Sequence, residues 1–257
     1  MREPSPVTLI PVPFAGEVLP GNDLGEMLVG ALRTQKLSLR SGDILVVKHK
    51  VVSKAEGRLV ELTKVRPSLR GKKWSEQSGA DARIVELALR ESRAIVRKKV
   101  IGDHGVLITE THHGLVCANS GVDLSNVNGG EHALLLPEDP DKSAVRLRSI
   151  IQQKTGAQVA VIISDSFGRA WREGLTEVAI GVAGMKPLID FRGKRDRHGY
   201  VLHASAEAVA DELACAAGLV CGKLNGVPVC IVRGFRYVPG RGSARELQRA
   251  RENDLFR

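Results

Sequence analysis

The segment Val159-Ala160-Val161-Ile162-Ile163-Ser164-Asp165-Ser166 constrains the fold more than any other part of the chain. Five consecutive apolar residues without a polar break suit a strand covered on both faces. The run then passes directly into a carboxylate flanked by two hydroxyls. Residues 44–47 form a second buried run, opened by Gly42-Asp43, and residues 178–182 and 227–232 read as further strands. Short β-like runs at 94–96, 106–109 and 115–117, separated by Gly and polar residues, predict antiparallel strands. Residues 134–136 end at Pro137.

Helical spacing covers 23–33, with Asn22 as N-cap, then 81–91, 139–154 closed by Gly156, and 207–220. A charged tail over 243–256 also reads as helical. Clustered strands with interspersed helices predict an α+β fold with mixed, largely antiparallel sheets, not a regular doubly wound one. There is no repeat or long linker.

Composition narrows the function class. Of 257 residues, 43% are hydrophobic but only 4% aromatic, so Val, Leu, Ile and Ala must fill the core. No apolar run reaches the roughly 18–20 residues of a membrane span. Residues 1–13 lack a signal-peptide core. Cys117, Cys215, Cys221 and Cys230 form no C-x-x-C pair and read as reduced, packed thiols of a cytoplasmic protein. The net charge of +9 fits either nucleic acid or small polyanions. The basic clusters at 70–73, 97–99 and 192–197 carry no interleaved aromatics for stacking bases. A phosphate pocket or a solvated face is the preferred reading.

Four segments can carry chemistry. In Ser164-Asp165-Ser166-Phe167-Gly168-Arg169-Ala170-Trp171-Arg172, an aspartate at a strand end can fix a hard cation. Ser166 can add an oxygen, and the two arginines can meet phosphate or carboxylate. An Asx turn capping a helix explains the same residues equally well. Asn119-Ser120-Gly121-Val122-Asp123-Leu124-Ser125-Asn126 offers a second carboxylate, although Asp-x-x-Asn is also common in turns. In Val51-Val52-Ser53-Lys54-Ala55-Glu56-Gly57, Lys54 follows an apolar run read as a strand. It can meet a phosphate, while pairing with Glu56 or solvent is the simpler reading. Gly218-Leu219-Val220-Cys221-Gly222-Lys223-Leu224 resembles a P-loop but is one residue short, lacks the Ser or Thr, and follows a helix. Helix capping is the simpler reading, while the glycines can still let backbone N–H groups approach phosphate. No histidine or cysteine spacing suits zinc, no dinucleotide fingerprint is present, and there is no G-x-S-x-G elbow.

Taken together and in order, six segments resemble the coenzyme F420-0:L-glutamate ligases, also called γ-glutamyl ligases. They are VVSKAEGR at 51–58, NSGVDLSN at 119–126, IISDSFGRAWR at 162–172, AIGVAG at 179–184, DFRGKRDRHG at 190–199, and 208–214 with Gly222-Lys223. The resemblance implies the unusual α+β fold of that family and a homodimer. It implies GTP as energy source and two divalent cations, Mg²⁺ or Mn²⁺. The substrates would be GTP, L-glutamate and coenzyme F420-0, joined through an acyl phosphate, with neither nucleic acid nor membrane as partner.

By similarity Asp123, Asp165 and Ser166 would ligate metal. His49, Lys50, Lys54 and Asn126 would contact the nucleotide. Ala15, Gly16, Glu17 and Val18, with Gly218, Gly222 and Lys223, match the nucleotide-binding segments more loosely. Lys223 stands where some relatives carry an acidic residue, so one ligand of the second metal stays open. A single module over 1–257 is expected, its division into two subdomains left open, without the nitroreductase-like domain of some bacterial relatives. Two rival readings remain at this point: another metal- and nucleotide-dependent carboxylate ligase, and a basic nucleic-acid-binding protein.

Overall fold

A computed structural model of the chain describes residues 6–102, 104–125, 127 and 130–255. Its elements in order are β1 (Thr8–Val12), α1 (Leu24–Thr34), β2 (Ile44–Lys48), α2 (His49–Ala55), β3 (Leu59–Glu61), α3 (Leu69–Ser78), α4 (Ala82–Arg90), β4 (Ser92–Ile101), β5 (His104–Thr111) and β6 (Val116–Ala118). There follow β7 (His132–Leu134), α5 (Pro140–Thr155), β8 (Ala160–Arg169), β9 (Arg172–Ala183), β10 (Ile189–Asp190), β11 (Ala206–Glu207), α6 (Val209–Cys221) and β12 (Val229–Arg233). The α+β class is as expected.

The apolar runs build one sheet, ordered β1-β12-β2-β8-β9. Only β2 and β8 pair parallel, with Lys48 opposite Ser164. Side-chain alternation splits the runs between two cores. Leu45, Val47, Val161 and Ile163 face α1 and α5, meeting Leu28, Leu147 and Ile151. Ile44, Val46, Ala160 and Ile162 face α6, meeting Ala210, Leu213 and Ala217. Burying a Leu or Ile side chain contributes about 1.5–3 kcal/mol, which is why these runs tolerate no polar residue until the sheet ends. A smaller core of Leu62, Val65, Leu87, Ala133 and Leu135 lies in the segment that also carries the β4-β5-β6 sheet.

Several local expectations need correction. Asp23, not Asn22, caps α1: its carboxylate accepts from the Gly25 and Glu26 amides, while Asn22 accepts from Leu19. Residues 49–55 form a helix, so Lys54 sits in the last turn of α2 and not after a strand. Asp165 lies inside β8, because the strand continues to Arg169 and turns back as a hairpin. No helix starts there, which disposes of the capping alternative. The basic cluster at 70–73 belongs to a helix, α3, that its polar sequence concealed. Among the described residues the tail forms short 3₁₀ turns, Ala244–Leu247 and Arg251–Asn253, with too few apolar residues to hold a longer helix on the body. Among the described residues no helix is long and apolar enough to cross a membrane.

Candidate active site

In a parallel strand pair the crevice beyond the carboxyl ends is the natural place for a ligand. Here β2 and β8 finish side by side, and β12 begins at the same edge, where the Lys48 amide donates to the Pro228 carbonyl at 2.9 Å. A cavity of about 310 Å³ opens at this edge. Its walls include Phe14, Gly16, Glu17 and Val18 after β1, Lys48 to Val51 and Lys54 around the β2–α2 junction, and Gly222, Lys223 and Gly226 after α6. Ser164, Asp165, Ser166 and Glu177 supply the sheet side.

Alternation sends Asp165 to one face of β8 and its two serine neighbours to the other. Ser164 and Ser166 both donate their hydroxyls to Glu177 of β9, at 2.8 and 2.6 Å. Lys48 completes that cluster at 2.5 Å. Burial pushes the Glu177 carboxyl up, but the hydrogen bonds and charge of Lys48, with the two serines, outweigh it and lower its pKa. Gly218 on α6 makes room for it: a Cβ there would lie 2.7 Å from Glu177 Cγ.

On the other face, His49 Nε2 lies 3.1 Å from Asp165 Oδ1. The contact is close but badly directed, so that buried nitrogen has no directed hydrogen-bond partner among the described residues. His49 Nδ1 is 3.4 Å from Ser53 Oγ. Ser53, His49 and Asp165 thus line up like a hydrolytic triad. The likeness fails on access, since Ser53 is 0% exposed and lies inside α2. A directed hydrogen bond reaches the Asp165 carboxylate from the Ser166 amide, at 2.7 Å. The Asp165 charge also reaches Cys117, whose thiol is pushed up to about 12, chiefly by burial.

Asp123 is fixed from a different direction. Its backbone exchanges two hydrogen bonds with Leu134, at 3.0 and 2.8 Å. Ser120, buried in the preceding turn, ties that turn to Thr109 and to the Ala88 carbonyl. The Asp123 carboxylate meets Lys50 at 2.7 Å and accepts from the Ser125 amide at 2.7 Å. Burial raises its pKa, but these partners prevail and lower it. Lys54 pairs with Glu17 at 2.8 Å, which lowers the pKa of that exposed carboxyl.

A second, larger space adjoins the first. It is a cleft of about 780 Å³ between the β8–β9 hairpin and the β4-β5-β6 sheet. Asp165 and Ser166 line both spaces, and Asp123 lines the cleft.

The structure therefore brings together Gly16, Glu17, Val18, His49, Lys50, Lys54, Gly222, Lys223, Asp165 and Ser166 in one cavity, with Asp123 joined through Lys50. Ala15 and Gly218 do not line it. Asn126 lies outside the described residues. Lys48, Glu177 and Phe14 were not foreseen. Lys48 and Glu177 each flank an apolar strand run, and a polar residue at the end of such a run is the only signal the sequence offers.

Whether the donors suit a metal is decided by their type. Among the described residues no three His, Cys, Asp or Glu side chains converge to cage an ion. With a single imidazole and no thiolate on its walls, the cavity lacks the donor set of a structural zinc site. Its carboxylates and hydroxyls fit a hard divalent cation such as Mg²⁺ or Mn²⁺, which takes one or two carboxylates and keeps several waters.

The family model for F420-0:γ-glutamyl ligase matches residues 15–234. The chain belongs to this family. Relatives named coenzyme F420:L-glutamate ligase agree over almost their whole length. The protein of Methanothermobacter thermautotrophicus is 43% identical over 98% of this chain and 99% of its own. That of Methanopyrus kandleri is 43% identical over 96% of each. That of Archaeoglobus fulgidus is 39% identical over 98% of this chain and 96% of its own. The match to the family model spans every cavity-lining residue except Phe14.

Proposed function

We propose that this chain is a GTP-dependent ligase of F420 biosynthesis that joins the amino group of L-glutamate to the carboxylate of coenzyme F420-0. The observation that carries this reading is the single cavity faced by Lys48, Lys50, Lys54 and Lys223, with the Asp165 carboxylate on its wall. Ammonium groups set beside hard carboxylate oxygens suit a triphosphate with its cation, and the names of the relatives supply the acceptor and the amine.

A carboxylate is a poor electrophile because its leaving group would be oxide. In the proposed reaction an acceptor carboxylate oxygen attacks the γ-phosphorus of GTP, and the bond to GDP breaks. The resulting acyl phosphate is then attacked at carbon by the glutamate amine, after loss of the ammonium proton. Phosphate leaves and an amide remains. The balance is GTP, acid and amine in, and amide, GDP and phosphate out.

Such chemistry asks the protein for alignment and charge, not for a nucleophile. Lys50 and Lys54 would hold phosphate oxygens, exchanging their present carboxylate partners for them. Lys223, on an exposed loop, would close over the nucleotide. Asp123 and Asp165 would hold the divalent ion, with Ser166 as a further oxygen donor once its hydroxyl leaves Glu177. A bound Mg²⁺ or Mn²⁺ supplies neutralisation of the phosphate charge. His49, 3.1 Å from the Asp165 carboxylate, would lie beside the bound nucleotide.

The test is direct. Purified protein is incubated with GTP, Mg²⁺ or Mn²⁺, L-glutamate and coenzyme F420-0, and the coenzyme is weighed by mass spectrometry. The expected result is the mass of one or more added glutamyl residues with a matching yield of GDP. GTP hydrolysis without coupled product, or no turnover at all, would remove the reading.

A further inference from the structure

The nucleotide reading uses the smaller cavity and leaves the larger cleft without a role. We infer that this cleft seats the acceptor, the deazaflavin coenzyme F420-0, with its ring at the arginine-bearing end and its reactive carboxylate at the Asp165 end. The inference rests on the proposed ligase activity and adds to it the place and recognition of the acceptor.

Three features carry it. First, the cleft and the cavity share Asp165 and Ser166, so an acceptor lying in one presents its acid group to a phosphate lying in the other. An in-line transfer requires such a meeting point. Second, the cleft walls are apolar where a ring would lie. Ile108 and Val116 of the β4-β5-β6 sheet face Leu175 of the hairpin across it. Val116 is 41% and Leu175 56% exposed, large apolar side chains turned to solvent at a concave site. Third, Arg169 and Arg172 line the same cleft. Neither forms an ion pair among the described residues. Arg169 donates to the Glu173 carbonyl, at 3.1 Å.

A planar guanidinium can stack on a ring or donate to its carbonyl edge, which a lysine cannot do as well. The acids at this end are Glu173 and Asp254, and Asp254 already has a partner.

The spacing is right for a molecule with a ring at one end and an acid at the other. Asp165 and Arg169 are four residues apart on β8, or about 13 Å at the rise of a strand. A flexible chain between ring and carboxylate spans that distance. A small acid without a ring would leave the arginines and the apolar walls unused.

The test measures the two substrates separately. Binding of the deazaflavin acceptor is followed by equilibrium dialysis through its visible absorbance, and KM values for acceptor and GTP by steady-state kinetics. Proteins compared are wild type, the double variant Arg169→Ala/Arg172→Ala, the charge-keeping Arg169→Lys/Arg172→Lys, and Val116→Glu, which puts an acid on the ring wall. The alanine pair is expected to weaken acceptor binding about 10-fold or more, the loss of roughly one charge-assisted contact. Val116→Glu should weaken it similarly, and the lysine pair less. KM for GTP should stay within about twofold, since that site is separate.

Unchanged acceptor binding in all variants of an active enzyme overturns this inference alone. A wild type that binds GTP but no deazaflavin overturns it together with the ligase reading. A shift to smaller species in sedimentation, with acceptor KM intact, would make the cleft a contact between copies of the chain and overturn it as well.

Discussion

Replacing Glu177 tests how the sheet side of the cavity is held together. Its carboxylate carries Lys48 at 2.5 Å and two serine hydroxyls at 2.8 and 2.6 Å. The side chains of Glu177 and Lys48 are only 10% and 21% exposed. Glu177→Gln keeps the shape and can still accept from a serine, but it removes the charge opposite a largely buried ammonium. Breaking a buried pair from one side costs about 3–5 kcal/mol, and an orphaned hydroxyl about 1–3. Water in the cavity can reach Lys48 and relieve part of this, so about 2–3 kcal/mol is expected.

Urea denaturation at neutral pH should show a lower midpoint with an unchanged slope. The decisive comparison is a double-mutant cycle with Lys48→Met. Removing both charges should restore much of the loss, giving a coupling of at least about 1 kcal/mol. A coupling under about 0.5 kcal/mol, the scale of an exposed pair, would refute the buried-pair argument.

Other outcomes follow from the same geometry. Asp165→Asn should lower kcat by at least about 10²-fold while the circular dichroism spectrum stays that of the wild type. Exhaustive chelation with EDTA should stop glutamyl addition, and added Mg²⁺ or Mn²⁺ should restore it; undiminished activity after chelation would argue against a metal. Asp123 and Glu177 both have pKa values lowered from the ordinary 3.8 and 4.5. A lowered folded pKa means stability that is complete above the ordinary value and lost as pH falls through the folded one. The unfolding midpoint should therefore hold steady down to about pH 5 and drop below about pH 4, and Glu177→Gln should flatten that drop.

Much of the fold could be read from the sequence because its central strands admit one interpretation. Residues 44–47 and 159–163 are apolar on both sides, and only a sheet covered by helices on both faces satisfies them. Asp139 and Gly156 mark the ends of α5 as the capping chemistry requires: Asp139 accepts from Lys142, and Gly156 takes φ 73°. What stayed hidden was set by tertiary contact. The apolar pair Val51-Val52 reads as a strand, yet α2 forms because Val52 packs into the main core while Lys50 and Lys54 turn to the cavity.

The site was legible as motifs but not as an arrangement. The motif around Asp165 pointed to an acid with hydroxyl neighbours, and alternation along β8 then sends them to opposite faces. Glu177, the group that claims those hydroxyls, is a lone acid before an apolar run. Nothing in its local sequence separates it from a surface residue.

Asp123 and Asp165 are proposed to hold the cation of a bound triphosphate. Crystals soaked with Mn²⁺ and a non-hydrolysable GTP analogue, measured at the manganese absorption edge, test it most directly. Anomalous peaks bonded to these two carboxylates and to phosphate oxygens are expected, with Lys50 released from Asp123. Nucleotide bound in the cavity with no manganese at either aspartate would contradict it.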